Sequence, residues 1–262
     1  QQYVEIADLV EKSGKYVANI IGSEDAVVVN SASSGIALST AAVVTGGNER
    51  MSQRLHQDPI EKNEILLFKG HNVQNGAAVD TMVALGGGKV VGIGYANEGR
   101  QEHIEQAVTD RTAAMLYVKS HHCVQKNMIS VEEAWETAQK LGIPLIVDAA
   151  AEEDLQKYPP ISDLVIFSGS KAIQGPTSGI VAGKAHLVEA VKLQLHYIGR
   201  SMKVGKESVF GLLQALEEYM NKKDNSEQEK QQLQALLELS ELPGVKVEIV
   251  QDEAGRAIFR GR

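Results

Sequence analysis

Two ionisable residues follow apolar runs that have the composition of buried strands. Asp148 ends the run Leu145-Ile-Val-Asp148, and Lys171 comes shortly after the run 164–167. One short connection separates the runs, so neighbouring strands can present a carboxylate and an amine to one small ligand. Pyridoxal 5′-phosphate (PLP) needs such a pair, because a lysine amine binds the cofactor and a carboxylate keeps its pyridine nitrogen protonated.

Two serines strengthen this interpretation. Ser168 and Ser170 precede Lys171 by three residues and by one, a spacing that lets a hydroxyl reach the cofactor phosphate while the amine reaches the C4′ carbon. The segment 174–179 that follows is rich in turn-forming residues and is expected to leave Lys171 exposed. Either ionisable residue alone would be weak evidence, since strand-end aspartates often cap helices and single lysines are usually solvated.

A second anion-binding element is predicted upstream. The apolar run Ala26–Asn30 leads into the small residues Ser31-Ala-Ser-Ser-Gly35 and then into a helical pattern. At such a turn, unpaired N–H groups and the helix dipole attract an anion. The segment lacks the Gly-Lys-Ser/Thr of a Walker loop and the GxGxxG of dinucleotide-binding proteins.

The elements that must position these residues form a block from about residue 26 to residue 183. Short β-branched runs alternate there with helical patterns, which predicts an α/β fold with a mainly parallel, seven-stranded sheet and ligands at the carboxyl ends of its strands. The predicted strands are Ala26–Asn30, Glu64–Lys69, Lys89–Ile93, Ala113–Val118, Leu145–Asp148, Leu164–Phe167 and Gly179–Ala182. The predicted helices are Gly35–Val44, Val73–Leu85, Gln101–Val108 and Val131–Leu141, the last capped by Ser130 with Glu133 three residues on.

The flanking segments define three predicted regions. Residues 1–22 are an N-terminal helix stopped by Gly22, residues 23–205 are the PLP-binding large domain, and residues 206–262 are connecting helices and a partial C-terminal domain. Helices are predicted over Lys184–Tyr197 and Lys206–Lys222. After a polar stretch at 224–230, the helical 231–239 and strand-like 245–250 indicate the start of a small α+β domain.

Three segments, taken in order, carry a family resemblance. They are Asn30-Ser-Ala-Ser-Ser-Gly35, Val147-Asp-Ala-Ala-Ala151 and the specific Phe167-Ser-Gly-Ser-Lys-Ala-Ile-Gln-Gly-Pro-Thr-Ser-Gly-Ile-Val181. Together they resemble the selenocysteine-synthase-like group of fold-type-I PLP enzymes, and especially its D-glucosaminate-6-phosphate ammonia-lyase branch. The resemblance covers roughly residues 1 to 222 and implies the aminotransferase-like fold.

The resemblance also assigns roles to residues. It implies that Lys171 is the Schiff-base lysine and Asp148 the partner of the pyridinium nitrogen. The implied phosphate contacts are Ser33, Ser34, Gly35 and Ser168. A ring-stacking side chain is expected after the strand that follows the phosphate turn, where Phe68-Lys-Gly-His71-Asn72 stands, so His71 is the candidate.

The implied reaction is a β-elimination by a PLP-dependent ammonia-lyase. A phosphorylated amino sugar acid such as D-glucosaminate 6-phosphate would give a 2-keto-3-deoxy acid phosphate and ammonia, with the freed Lys171 as the base for the α-proton. Three alternatives stay open: a tRNA-dependent selenium transferase, another PLP-dependent lyase of a sulfur or hydroxy amino acid, and a PLP-binding subunit without turnover.

Composition limits the partners. A formal net charge of −8 and a pI near 5.4 argue against nucleic-acid binding, which depends mainly on Lys and Arg. No apolar run approaches the ~20 residues of a membrane span. The single cysteine, Cys123, excludes an internal disulfide and favours the cytoplasm. No metal site is predicted, because His121 and His122, if extended, point to opposite faces.

The segment from Arg200 to Lys206 is locally basic in this acidic chain. Arg200, Lys203 and Lys206 could meet a cofactor or substrate phosphate, across the interface of a homodimer. The expected partners are therefore a small anionic substrate and a second copy of the chain.

Overall fold

The computed structural model describes residues 5–74, 76–221, 226–251 and 259–262, and a seven-stranded sheet is its central element. The strands are β1 (Asp25–Val29), β2 (Glu64–Phe68), β3 (Lys89–Ile93), β4 (Thr112–Val118), β5 (Leu145–Asp148), β6 (Leu164–Ser168) and β7 (Gly179–Gly183). Their order is β1-β7-β6-β5-β4-β2-β3. Only β7 runs antiparallel to its neighbours, β1 and β6. The predicted mainly parallel sheet is confirmed, and each strand end lies within one residue of its prediction.

The burial of the strands explains why their positions could be predicted from the sequence. Every residue of β1, β2, β4, β5, β6 and β7 is buried, whereas the edge strand β3 is partly exposed. A strand that is covered on both faces needs a continuous apolar run. Such runs are what marked these segments along the chain.

Helices cover the sheet and connect its strands. They are α1 (Ile6–Ile21), α2 (Ala32–Thr45), α3 (Glu49–Arg54), α4 (Val79–Leu85), α5 (Gln101–Glu105), α6 (Val131–Leu141), α7 (Ala185–Gln194) and α8 (Lys206–Met220). Gly22 ends α1 in the left-handed conformation, with its N–H on the Ala18 carbonyl, as predicted. The predicted capping box of α6 is also present, since Ser130 and Glu133 bond each other's backbone N–H.

Several predicted helices have other bounds, among them the one predicted over Lys184–Tyr197, which ends at Gln194. The helix predicted from Val73 begins only at Val79, because the chain first turns at Gly76 (φ +80°) and pairs Gln74 with Ala78. The helix predicted over 101–108 ends at Glu105. The helix after the first strand begins at Ala32, three residues before its predicted start, because Ser31 caps it.

One half-buried lysine joins three elements next to the edge strand β1. The Lys192 ammonium of α7 lies 3.0 Å from a carboxylate oxygen of Glu11 in α1, 2.6 Å from one of Asp25 in β1 and 2.8 Å from one of Glu189. These carboxylates raise the pKa of Lys192 although its partial burial opposes the rise. The cluster therefore fixes α1 and α7 against β1.

The chain divides into two compact units, the first ending at Glu217 and the second running from Glu218 to Arg262. In the second, α9 (Ser226–Leu233) and the 3₁₀ helix Gln234–Glu241 accompany a two-stranded antiparallel sheet of β8 (Ile249–Gln251) and β9 (Phe259–Gly261). The helix predicted over 231–239 thus begins earlier, and the strand predicted over 245–250 is limited to Ile249–Gln251. No helix among the described residues is both long and apolar enough to cross a bilayer.

Candidate active site

The predicted site residues meet at one edge of the sheet. Since β7 is antiparallel to both β1 and β6, those two strands are parallel to each other and to β5, β4 and β2. Asp148 is the last residue of β5, Lys171 lies three residues beyond β6, and Ser31 lies two residues beyond β1. Ligands of open α/β sheets bind at this carboxyl edge.

Asp148 is a buried carboxyl with few partners. Its side chain accepts one hydrogen bond, from the Ala150 N–H at 3.2 Å. Burial raises the pKa of Asp148 to about 6, and the positive charge of Lys171 opposes that rise. The two groups predicted to act together are therefore close enough to interact, and a further cation beside Asp148 would stabilise its charged form.

Lys171 is held on a firm backbone with its side chain exposed. Gly169 donates its N–H to the Ser178 carbonyl at 2.9 Å, and Gly175 donates to the Gly169 carbonyl at 2.7 Å. Gln174 turns the chain with a positive φ of 59° and donates its N–H to the Lys171 carbonyl at 3.0 Å. The exposure of Lys171 agrees with the turn-rich segment that follows it.

The two serines before the lysine are near each other. Their hydroxyl oxygens lie 3.4 Å apart, with Ser168 buried and Ser170 exposed. The Ser168 N–H donates to the Ala150 carbonyl at 3.1 Å, which ties the segment after β6 to the segment after β5. Both hydroxyls thus lie on the same edge as Asp148.

At the start of α2, some hydroxyl and N–H groups bond each other in the helix cap, and other N–H groups stay unpaired. Ser34 exchanges hydrogen bonds with Ser31: its N–H donates to the Ser31 hydroxyl at 3.1 Å, and its own hydroxyl accepts from the Ser31 N–H at 2.9 Å. The first-turn N–H groups of Ala32 and Ser33 have no acceptor among the described residues. These two N–H groups are the ones that remain available to an anion.

Gly35 has a packing role in this turn. A Cβ atom at that position would lie 2.9 Å from the Ile166 side chain and 3.2 Å from that of Val181. The helix can approach β6 and β7 this closely only with glycine there. The predicted phosphate contacts of Ser33, Ser34 and Gly35 stay predictions, and the Ser34 hydroxyl is already engaged in the cap.

His71 lies deeper than its predicted role requires. It is fully buried in the 3₁₀ turn Lys69–His71, with its ring edge-on to Tyr117 at 4.5 Å and to Phe68 at 5.5 Å between centroids. Neither ring nitrogen has a hydrogen-bond partner among the described residues. Burial, helped by the charge of Lys119, lowers the pKa of His71 to about 4, so the ring is neutral at pH 7. Stacking on a cofactor would require neighbouring side chains to move.

Lys119 is a cation of this edge that the sequence reasoning missed. It directly follows β4, and its N–H donates to the Asp148 carbonyl at 2.8 Å. The half-buried ammonium donates to the Gln125 side-chain oxygen at 3.1 Å. Its position immediately after a predicted strand, the rule that singled out Asp148, could have revealed it.

The neighbouring His121-His122-Cys123 segment shows no metal geometry. The two imidazole rings are tilted by 41° against each other, with 3.9 Å between their centroids. Cys123 is buried, which raises the pKa of its thiol to about 12. Across the described ranges, no cluster of three His, Cys, Asp or Glu side chains could hold a metal ion.

The basic segment lies at the β1 end of the same edge. The Asn30 side chain donates to the Lys203 carbonyl at 3.5 Å. Lys203 and Lys206 also line a cavity of about 410 Å³ with Val28 and residues of α1. The basic segment therefore lies next to the strand that leads into the α2 turn.

Comparison with known proteins identifies the family. The family model for L-seryl-tRNA selenium transferase, SelA, matches residues 7–256. The chain belongs to the SelA family. This result confirms the resemblance seen in the three sequence segments.

Within the SelA family, named relatives differ in their chemistry. The chain is 44% identical to D-glucosaminate-6-phosphate ammonia lyase of Salmonella typhimurium, over 99% of this chain and 70% of that protein. It is 39% identical to 5′-C-glycyluridine monooxygenase-decarboxylase of Streptomyces sp, over 98% of this chain and 66% of that protein. L-seryl-tRNA(Sec) selenium transferase of Haemophilus influenzae is 26% identical, over 78% and 45% respectively. The chain thus spans about two thirds of the first two relatives and less than half of the third.

Solved structures confirm the aminotransferase-like fold. A structure of D-glucosaminate-6-phosphate ammonia-lyase matches with a TM-score of 0.89 and 42% identity, covering 100% of this chain and 71% of that one. The aminotransferase PseC of Helicobacter pylori matches with a TM-score of 0.62 at 15% identity, covering 96% and 68%, which supports the fold alone. The SelA family and these fold neighbours are PLP-dependent enzymes.

The residues of this chain fit PLP. A buried carboxyl with a raised pKa suits a protonated pyridine nitrogen, and an exposed lysine lies within its electrostatic reach. The unpaired N–H groups of Ala32 and Ser33 and the hydroxyls of Ser168 and Ser170 are donors suited to a phosphate. Only the buried ring of His71 departs from the expected arrangement.

Proposed function

We propose that this protein is a PLP-dependent ammonia-lyase that acts on a phosphorylated amino sugar acid of the D-glucosaminate 6-phosphate type. The products are a 2-keto-3-deoxy acid phosphate and ammonia. The observation that carries the proposal is the pair of Asp148, buried, and Lys171, exposed, at the carboxyl edge of the sheet. It occurs in a chain 44% identical to a protein named for that reaction.

Each residue of the pair has a distinct task. When bound, PLP supplies an electron sink for the bond electrons released at the α-carbon. Asp148 holds the positive charge on the ring nitrogen, and the low dielectric around Asp148 strengthens that interaction. Lys171 holds the cofactor and, once its amine is free, takes the α-proton at Nζ.

Other groups bind and orient. The N–H groups of Ala32 and Ser33 and the hydroxyls of Ser168 and Ser170 hold the cofactor phosphate. Arg200, Lys203 and Lys206 bind the phosphate of the substrate, which is remote from the reacting carbon. Binding energy from such a remote group can position the substrate for proton removal, so it raises turnover as well as affinity.

Two related activities are less well supported. A selenium transferase must hold a tRNA, and a chain with a net charge of −8 is poorly suited to a polyanion of that size. The 39% identity to a monooxygenase-decarboxylase makes a glycyl-nucleoside substrate the second candidate. The proposed ammonia-lyase would release ammonia, whereas this second candidate would release carbon dioxide.

The proposed working unit is a cytoplasmic homodimer. The basic segment 200–206 lies at the β1 end of the edge, and an isologous dimer would bring the same segment of each subunit to the pocket of the other. The single cysteine is consistent with a reducing compartment. Light scattering that shows an active, cofactor-loaded monomer would contradict the dimer.

The test compares substrates and locates the cofactor. Ammonia release is measured with D-glucosaminate 6-phosphate, D-glucosaminate, serine and glycyluridine, and carbon dioxide is followed with the last. We expect rapid ammonia release from the phosphorylated sugar acid alone. Borohydride reduction followed by peptide mapping is expected to label Lys171, and Lys171→Ala is the control. Equal turnover of serine would refute the substrate class, and a label on another lysine would refute the site.

A further inference from the structure

Lys119 is a half-buried cation whose only polar partner among the described side chains is neutral. Its ammonium donates to the amide oxygen of Gln125, and the amide nitrogen of Gln125 donates to the Ser120 carbonyl at 3.0 Å. No described carboxylate lies within ion-pair distance of Lys119, whereas half-buried Lys192 has three such partners and Lys184 has Asp163. A cation out of bulk water without an anion has lost hydration that nothing in the described chain replaces with opposite charge.

The position of Lys119 places this cation beside the reacting groups. Its N–H is bonded to the carbonyl of Asp148, and Asp148 is paired in register with Val118, the residue before Lys119, at the ends of the neighbouring strands β5 and β4. Its charge also acts on the buried ring of His71 and on the thiol of Cys123. Lys119 directly follows β4, which lies between β5 and β2 in the sheet, so this cation belongs to the middle of the carboxyl edge.

The groups assigned so far among the described residues leave one charge of the proposed substrate, its carboxylate, without a partner. Asp148 and Lys171 are committed to the cofactor, and the basic segment 200–206 lies at the β1 end of the edge. An amino sugar acid also carries a carboxylate next to its reacting carbon. This carboxylate must lie near Lys171, and Lys119 is a cation of the same edge that is bonded through its backbone to Asp148 and has no anionic partner among the described residues.

We propose that Lys119 binds the carboxylate of the substrate, exchanging the neutral Gln125 amide for a negatively charged oxygen. This assignment rests on the proposed function, because it takes its ligand from the substrate class. A charge-assisted hydrogen bond is roughly twice as strong as a neutral one, so the exchange favours the bound state. Lys119 thus fixes the orientation of the α-carbon towards Lys171.

The test uses two non-reacting ligands that differ only in the carboxylate. Gluconate 6-phosphate carries it, glucitol 6-phosphate has a hydroxymethyl group instead, and neither has the amine. Calorimetric titration of the cofactor-loaded protein is expected to show about 10- to 100-fold tighter binding of gluconate 6-phosphate, the range for a partly buried charged hydrogen bond. The ratio of the two dissociation constants is the measured quantity.

Three variants isolate the charge of Lys119. Lys119→Met keeps the length and is expected to bring the ratio close to one, whereas Lys119→Arg is expected to retain most of it. Lys126→Met removes an exposed lysine from the same loop and should leave the ratio unchanged. The visible absorbance of the bound cofactor confirms that each variant is folded and loaded.

The opposing outcomes are distinct. Equal weakening of both ligands in Lys119→Met means contact with a group that the two ligands share, such as the phosphate, and unchanged dissociation constants for both ligands mean no contact with either; both results overturn the assignment. The assignment is also overturned if the protein without any substitution binds the two ligands with equal affinity or binds neither of them. If the ratio collapses in Lys119→Met but the unchanged protein releases no ammonia from D-glucosaminate 6-phosphate, Lys119 is assigned correctly and the proposed function is wrong.

Discussion

Replacing Asp148 by Asn should change how the stability of the cofactor-free protein depends on pH. The raised pKa means that the folded protein keeps a proton on Asp148 at pH values where the unfolded chain has released it. Between pH 3.8 and about 6, the folded state binds more protons, so the free energy of unfolding falls as the pH rises. Above that range Asp148 is charged in both states, and the free energy of unfolding is lowered by the full cost of burying its charge.

The size of this cost follows from the pKa. A rise from 3.8 to about 6 corresponds to ~3 kcal/mol at about 1.4 kcal/mol per pH unit. Asn has nearly the same shape as Asp and can still accept the Ala150 N–H, but it carries no charge at any pH. We therefore expect the difference in unfolding free energy, the Asp148→Asn variant minus the unchanged protein, to increase by ~2.5 kcal/mol between pH 4 and pH 7, since the unfolded carboxyl is already partly ionised at pH 4.

The assay is urea unfolding of both cofactor-free proteins across this pH range. Comparing the pH dependence cancels any constant cost of burying the new amide. In thermal scans, the same change corresponds to a relative shift in Tm of about 5–10 °C. A difference that stays constant from pH 4 to pH 7 would refute the burial of an ionisable Asp148. With PLP bound, the advantage of Asn should disappear, because the pyridinium nitrogen then partners the carboxylate.

Two further variants test other parts of the structure. Lys192→Met should lower the free energy of unfolding by ~3 kcal/mol, because it leaves the Asp25 carboxylate, only 12% exposed, without its cation. The control is Lys15→Met, which removes an exposed ion pair and should lower the free energy of unfolding by less than ~1 kcal/mol in the same urea titration. His71→Phe should keep the ring contacts with Tyr117 while removing a group that resists protonation. The contribution of position 71 to the free energy of unfolding should therefore not decrease between pH 6.5 and pH 4 in His71→Phe, whereas the buried histidine of the unchanged protein loses stability over this range. A parallel decrease in His71→Phe and in the unchanged protein would contradict this reasoning.

The strands and the central pair could be predicted because their causes are local. A strand buried on both faces must be apolar, and a charged residue directly after it falls at the sheet edge by topology alone. Helix bounds were less predictable where turn chemistry intervened. Gly76 delays α4, and the Ser31 cap starts α2 earlier than its apolar pattern does. These choices depend on single residues that periodicity averages out.

The environment of each site residue depended on contacts between distant segments. His71 looked available in the sequence, but Phe68 and Tyr117 enclose its ring, and Tyr117 comes from another strand. Lys119 was not singled out in the sequence, because only its contacts with Asp148 and Gln125 distinguish it from an ordinary solvated lysine. The local sequence does not show which side chains contact a given lysine, and those contacts decide whether its charge is neutralised.

Asp148 and His71 together give the cofactor-free site a property that neither shows alone. Burial raises the pKa of Asp148 to about 6 and lowers that of His71 to about 4, so the aspartate destabilises the fold at high pH and the histidine at low pH. Each cost is ~3 kcal/mol at its own end of the range, and each fades where the other grows. Their sum is nearly constant from pH 4 to pH 7. The unchanged protein should therefore show little pH dependence from these groups, while Asp148→Asn and His71→Phe reveal slopes of opposite sign. Cofactor binding should remove the cost at Asp148, because a cation then partners the carboxylate, and should leave the cost at the enclosed His71 ring in place.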